Sequence, residues 1–170
     1  MFDSCVLGVD PGLARTGLAV LTPRGRKPSL AWSDTVVTPA DLAESDRLRA
    51  IAEAVRSAIA EHRPEVVALE RVAFNRNTVS ALQVARATGV VMAMAAEAGV
   101  PVEEYAPSEV KSTVTGMGNA DKRQVRDALV RVHGLKEVPT QADAADAVAV
   151  ALCHIAAAPL RAAARLGALR

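Results

Sequence analysis

Two short apolar runs, each closed by a carboxylate, set the tightest limit on what this chain can fold into. Cys5-Val6-Leu7-Gly8-Val9 ends at Asp10-Pro11-Gly12, and Val66-Val67-Ala68-Leu69, flanked by Glu65, ends at Glu70. Runs this short and this apolar read as strands buried within a sheet, the second covered on both faces. If the two lie parallel and adjacent, both acids emerge at the carboxyl edge, where open α/β sheets bind ligands. Taken singly, each acid is an ordinary solvated strand end. The pair is what points to a site.

The remaining pattern fills in a mixed sheet. Gly17 to Leu21 reads as the return partner of the first strand, and Ser29 to Val37 as a third strand. Thr38-Pro39-Ala40-Asp41 has the composition of a helix start, with Thr38 as cap and Pro39 at the first position. Leu48, Ile51, Val55 and Ile59 then recur at helical spacing. A long Ala/Val/Met helix is expected over Asn77 to Ala98, a short strand over Pro101 to Tyr105, and a brief helix capped by Ser108. Gly116-Met117-Gly118 breaks the chain before a helix from Asp121 to Val132, and Thr140 opens the last helix. The order strand, strand, strand, helix, strand, helix, strand, helices fits an α/β fold with an antiparallel start and parallel later strands.

Length and composition remove other classes. A chain of 170 residues suits one domain, expected over 1–158 with a detachable basic tail over 159–170, and is too short for a two-lobed kinase. Only four residues are aromatic against 35 alanines, so the core must be built from Ala, Val and Leu. No unbroken apolar stretch approaches the ~20 residues that span a bilayer, and Met1-Phe2-Asp3 lacks the basic start of a secretory signal. Cys5 and Cys153, remote and without a second pair, read as free thiols of a reducing cytoplasm. His62, His133 and His154 have no partner at ligand spacing and read as structural or surface residues.

The final helix adds two more acids. Thr140-Gln141-Ala142-Asp143-Ala144-Ala145-Asp146 leads into Ala147-Val148-Ala149-Val150-Ala151-Leu152, with no further Asp, Glu, Lys or Arg until Arg161, so this helix is apolar nearly all round and buried. Asp143 and Asp146, three apart, project from one side of it. Thr140-x-x-Asp143 matches a capping box, which would account for Asp143 alone. It leaves Asp146 unexplained, because buried like charges are costly without a positive partner. Four converging carboxylates, Asp10, Glu70, Asp143 and Asp146, point to a divalent metal, and all-oxygen donors select Mg²⁺ or Mn²⁺.

Positive charge is distributed unevenly despite a net charge of only +1. Arg71, Arg76 and Arg86 follow Glu70 with no acid before Ala96. Lys111, Lys122, Arg123, Arg126, Arg131 and Lys136 face only Asp121 and Asp127 between positions 111 and 136. Lys122, Arg123 and Arg126 share one flank of a helix. Alone that is a solvated face; beside a metal site it resembles a track for a phosphate backbone. Gly116-Met117-Gly118-Asn119 before a helix could offer amides to a phosphate, although a plain loop is the better reading of a short glycine pair by itself.

Five segments in order, Gly8-Val9-Asp10-Pro11-Gly12, Glu70-Arg71-Val72, Pro107-Ser108-Glu109-Val110-Lys111, Gly116 to Lys122 and Gln141 to Ala147, resemble the motifs of RuvC-type Holliday-junction resolvases over about residues 5 to 155. The resemblance implies an RNase H-like fold with a five-stranded sheet and a homodimeric, Mg²⁺-dependent nuclease of DNA recombination and repair. It implies that Asp10, Glu70, Asp143 and Asp146 are catalytic and hold two Mg²⁺ ions per subunit, with Mn²⁺ as a substitute. It further implies DNA contacts at Lys111 and Lys122 and, through the wedge aromatic, at Phe74; the basic runs add Arg71, Arg76, Arg123 and Arg126, and Asn77 is grouped with them. The family's junction-wedging aromatic falls at Ala73 here, with Phe74 beside it. Four-way junction DNA is the implied substrate, RuvA and RuvB of the branch-migration complex the implied partners, and the Ala-rich helix from Asn77 the implied dimer face. Competing readings are a related nuclease of RNA or RNA/DNA hybrid, a catalytically silent junction binder, and an actin-like nucleotide module suggested by Gly8 to Gly12 with Thr16-Gly17.

Overall fold

A computed structural model describes residues 5–24, 27–72 and 78–167. The elements follow the order β1 (Val6–Asp10), β2 (Arg15–Arg24), β3 (Lys27–Val37), α1 (Glu44–His62), β4 (Val66–Glu70), α2 (Thr78–Glu97), β5 (Val102–Tyr105), α3 (Pro107–Thr115), α4 (Lys122–Arg131) and α5 (Ala142–Gly167). They build one five-stranded sheet of order β3-β2-β1-β4-β5. β1 pairs antiparallel with β2 and parallel with β4, with Val9 opposite Leu69. The mixed sheet expected from the sequence is therefore the one that forms.

Strand alternation sorts the core into two layers. Val6, Ala19, Leu21, Val66 and Ala68 face α5, α3 and α4, whereas Leu7, Val9, Leu18, Val20, Val67 and Leu69 face α1 and α2. The α5 layer is unusually close. A Cβ on Gly8 would lie 2.1 Å from the Ala147 carbonyl oxygen, and one on Gly17 would lie 1.9 Å from the Asp143 carbonyl oxygen. Glycine inside a strand here serves backbone approach, which bulkier residues would prevent. Ala144, Ala147 and Ala151 of α5 do the same from the helix side.

Two expected helix starts are corrected. Thr38 does not cap a helix: α1 begins at Glu44, after Ala43. Thr38 is buried, its hydroxyl donates to the Leu13 carbonyl at 2.5 Å, and it accepts from Arg47 Nε at 2.9 Å. A long-range demand, tying down the loop after β1, has captured a residue whose local preference is to cap. Ser108 does not cap α3 either; Ala106 precedes the helix and Pro107 occupies its first turn, where the missing N–H costs nothing. Asp121 does cap α4, in a reciprocal capping box with Gln124. α5 begins at Ala142 and continues past Pro159, so the expected tail starts within a helix.

As expected, no unbroken apolar stretch of α2 reaches membrane-span length, because Gln83, Arg86 and Thr88 interrupt it. Val79–Glu97 of α2 reaches a mean hydropathy of 1.4 over a window long enough to cross a bilayer. Interspersed Ala, Val and Met raise that mean without any unbroken run. Its inner residues Ala87, Val91 and Ala95 are buried in the layer beneath the sheet, while Val79 and Leu82 are exposed.

Candidate active site at the carboxyl edge of the sheet

The alternation that builds the core also aims the acids. Asp10 follows Val6 and Gly8 on the α5 side of β1, and Glu70 follows Val66 and Ala68 on the α5 side of β4. Asp10 pairs with Gly17, whose missing side chain admits the Asp143 backbone. The first turn of α5 is thereby pressed against the strand neighbouring Asp10, and Asp146 follows one turn further along. Residues more than a hundred positions apart in the chain meet at one edge.

The electrostatics show how closely they are coupled. The Asp10 carboxyl is pushed up to about 7, by burial first and then by the charges of Glu70, Asp146 and Asp143, with Lys122 opposing. Glu70 is raised by burial first, then by the Asp146 charge, while Lys111 and Lys122 pull it back down. Asp146 Oδ2 accepts from Lys122 Nζ at 2.7 Å, and that bond is the main cause of an upward shift in the lysine. Asp143 Oδ2 accepts from Arg15 Nε at 2.5 Å. Two of the four carboxylates have thus recruited cations from their own chain.

In these side-chain conformations no group of three or more His, Cys, Asp or Glu among the described residues gathers around one point as a metal shell. The donor set nonetheless fits a hard divalent cation: every donor is a carboxylate oxygen, burial and mutual repulsion raise two of them, and two others are held by a guanidinium and an ammonium. A divalent cation held here would supply the charge that Arg15 and Lys122 supply to Asp143 and Asp146.

The expected DNA-contact residues divide into groups. Lys111 and Lys122 are close enough to Glu70 to lower its pKa, and Arg71 and Arg123 are exposed. Arg126 instead directs its guanidinium to the carbonyls of Pro139, at 2.5 Å, and Val138, at 3.3 Å, so it braces the loop leading to α5. Phe74, Arg76 and Asn77 lie outside the described residues. The histidines serve the fold: His62 stacks on Trp32, His133 Nε2 lies 2.9 Å from the Val114 carbonyl, and His154 Nδ1 lies 2.8 Å from the Tyr105 hydroxyl. Sequence reasoning missed Arg15, Gly8 and Gly17. Glycines within strands signal a close approach and could have been read so; nothing local marks Arg15 as the partner of an acid 128 residues on.

This sheet order, with acids at the ends of β1 and β4 and on the first turns of α5, defines an RNase H-like domain of the Holliday junction resolvase class. A *Thermus thermophilus* RuvC structure in complex with Holliday junction substrate superposes with TM-score 0.86 at 37% identity, covering 92% of this chain and 96% of that one. The yeast mitochondrial Holliday junction resolvase shares the fold at TM-score 0.66 and 14% identity, over 89% of this chain and 77% of that one. The chain belongs to the RuvC family, described as crossover junction endodeoxyribonuclease RuvC, whose model matches residues 6–154. The family's *Rhodococcus opacus* member is 51% identical over 91% of this chain and 82% of its own length, and the *Saccharopolyspora erythraea* member 47% identical over 91% and 78%. Membership of this nuclease family carries dependence on a divalent metal and sets aside the actin-like reading.

Proposed function

We propose that this chain resolves four-way DNA junctions by hydrolysing one phosphodiester bond in each of two equivalent strands. The observation that carries the reading is the coupling of Asp10, Glu70, Asp143 and Asp146 at one sheet edge, flanked by Lys111 and Lys122. Two Mg²⁺ ions, or Mn²⁺ in their place, held by these four carboxylates would activate the attacking water and stabilise the leaving 3′-oxygen. The chain's own part is to hold the acids in register, to keep the edge partly desolvated, and to seat the backbone through Lys111, Lys122, Arg71 and Arg123. Phe74 is the candidate wedge at the crossover, with Arg76 and Asn77 beside it.

Symmetric nicking needs two sites related by a two-fold axis, so the working unit is a homodimer. Exposed Val79 and Leu82 on α2 support that face as the contact. In the cytoplasm the dimer would receive junctions from RuvA and RuvB. Residues 159–170 would form an accessory basic segment of a nuclease domain spanning 1–158.

Asp146→Asn should abolish Mg²⁺-dependent cutting of a synthetic four-way junction while leaving junction binding largely intact. Undiminished cutting would remove Asp146 from the catalytic set. Faster cleavage of an RNA/DNA hybrid or a structured RNA than of the junction would favour the related-nuclease reading instead.

A further inference from the structure

Arg15 has no part in the reading above, yet it makes the most direct contact with one of the four acids from the strand side. It opens β2 five residues after Asp10, at the carboxyl edge, with its backbone fixed opposite Val37 of β3. Its Nε donates to Asp143 Oδ2 at 2.5 Å. The arginine side chain is 46% exposed and the aspartate 22%, so the pair lies at the mouth of the site, not beneath it. Lys122 holds Asp146 in the same manner from α4. The acidic edge is therefore gripped from two sides, by one cation of the sheet and one of the helical layer.

The Arg15 bond occupies one lone-pair direction of Asp143 Oδ2, and a divalent ion on that oxygen would stand beside a guanidinium of like charge. Binding of metal through Asp143 thus competes with Arg15. Once displaced, the guanidinium remains tethered to a rigid strand with its head in solvent. Phosphate oxygens match its planar fork better than any other group a nucleic acid offers.

We propose that Arg15 is an exchangeable counter-ion, pairing with Asp143 while the edge lacks metal and moving to a backbone phosphate of the bound strand when a divalent cation takes that carboxylate. Arg15 is then a positioning residue before metal binds and a substrate contact afterwards. The inference rests on the nuclease reading for its second half only, since the competition with metal needs no DNA.

Calorimetric titration of the whole chain with Mn²⁺, without DNA, tests the first half. Arg15→Gln should bind Mn²⁺ about two- to tenfold more tightly than wild type, the range expected when a charged hydrogen bond no longer competes; Arg15→Lys should stay near wild type. A purely structural clamp on Asp143 predicts the opposite sign, so equal or weaker Mn²⁺ binding by Arg15→Gln overturns the proposal. Junction binding tests the second half: in Ca²⁺, Arg15→Gln should lose affinity about three- to tenfold, with the log–log salt slope reduced by about one, and in EDTA it should match wild type. The same loss in both media would refute the exchange. Failure of the wild type to bind or cut a four-way junction would break the nuclease reading, while the Mn²⁺ titration would still decide the grip on Asp143.

Discussion

The two faces of the central sheet are built on opposite terms. Toward α1 and α2 the strands present Leu7, Val9, Leu18, Val20, Val67 and Leu69, side chains that fill an ordinary interlayer gap against Ile51, Val55 and Val91. Toward α5 the same strands present Gly8, Gly17, Ala19 and Ala68 where the helix crosses them, beside Val6, Leu21 and Val66, and the helix answers with Ala144, Ala147 and Ala151. Bulk on the first face removes apolar surface from water and holds the fold together. On the second face small residues give up some of that burial for closeness, which sets where Asp143 and Asp146 stand relative to Asp10 and Glu70. Both faces bury apolar surface, and the α5 face in addition sets the placement of the acids.

The contrast breaks if substitutions on the two faces have the same signature. Leu18→Ala should show the largest loss of stability, about 2–5 kcal/mol for a fully buried leucine, while cutting assayed well below the melting temperature stays within a few-fold of wild type. Thermal unfolding alongside a junction-cleavage assay measures both.

The acidic edge gives the next effect, and it is pH-dependent. The native Asp10 carboxyl is raised to about 7 from 3.8, so between these values the folded chain binds more protons than the unfolded one. Its contribution to stability is present below pH ~4 and lost as pH rises through ~7. Without metal, Asp10→Asn should be more stable than wild type at pH 8, by at most about 4 kcal/mol, and the advantage should vanish near pH 4. A denaturant midpoint series across pH, repeated with saturating Mn²⁺, reads the difference.

On the close-packed face Gly17→Ala should cost about 1–3 kcal/mol by overpacking. It should nevertheless lower metal-dependent cutting about 100-fold, because a displacement near 1 Å of a catalytic group has that effect. A variant that unfolds more easily but cuts normally would show that Asp143 is positioned by something other than Gly17. The smallest effect belongs to Asp121→Ala, about 0.5–2 kcal/mol for a lost cap, visible as a lowered Tm that reports how firmly α4 presents Lys122.

Much of this arrangement was legible before any coordinates. Asp10 and Glu70 stand out because each closes an apolar run, and strand alternation then commits both to one face. Asp146 stands out because a charge on an otherwise apolar helix needs a reason. Thr38 and Ser108 do not cap because capping preferences are local and weak: the Leu13 carbonyl, 25 residues away, takes the Thr38 hydroxyl, and Pro107 starts α3 one residue before Ser108. Arg126 was grouped with Lys122 by helical spacing, which cannot reveal that the loop carbonyls of Val138 and Pro139 would take its guanidinium.

Element order, the two apolar strands and the identity of the four acids were set by the sequence alone, because periodicity and chain-end chemistry act over a few residues. Only the tertiary structure decided which cation each acid meets, how near α5 comes to the sheet, and that Arg15 grips Asp143. Those outcomes depend on distances between segments far apart in the chain, settled by packing of the whole core and by charges that have no neighbours until the fold brings them together.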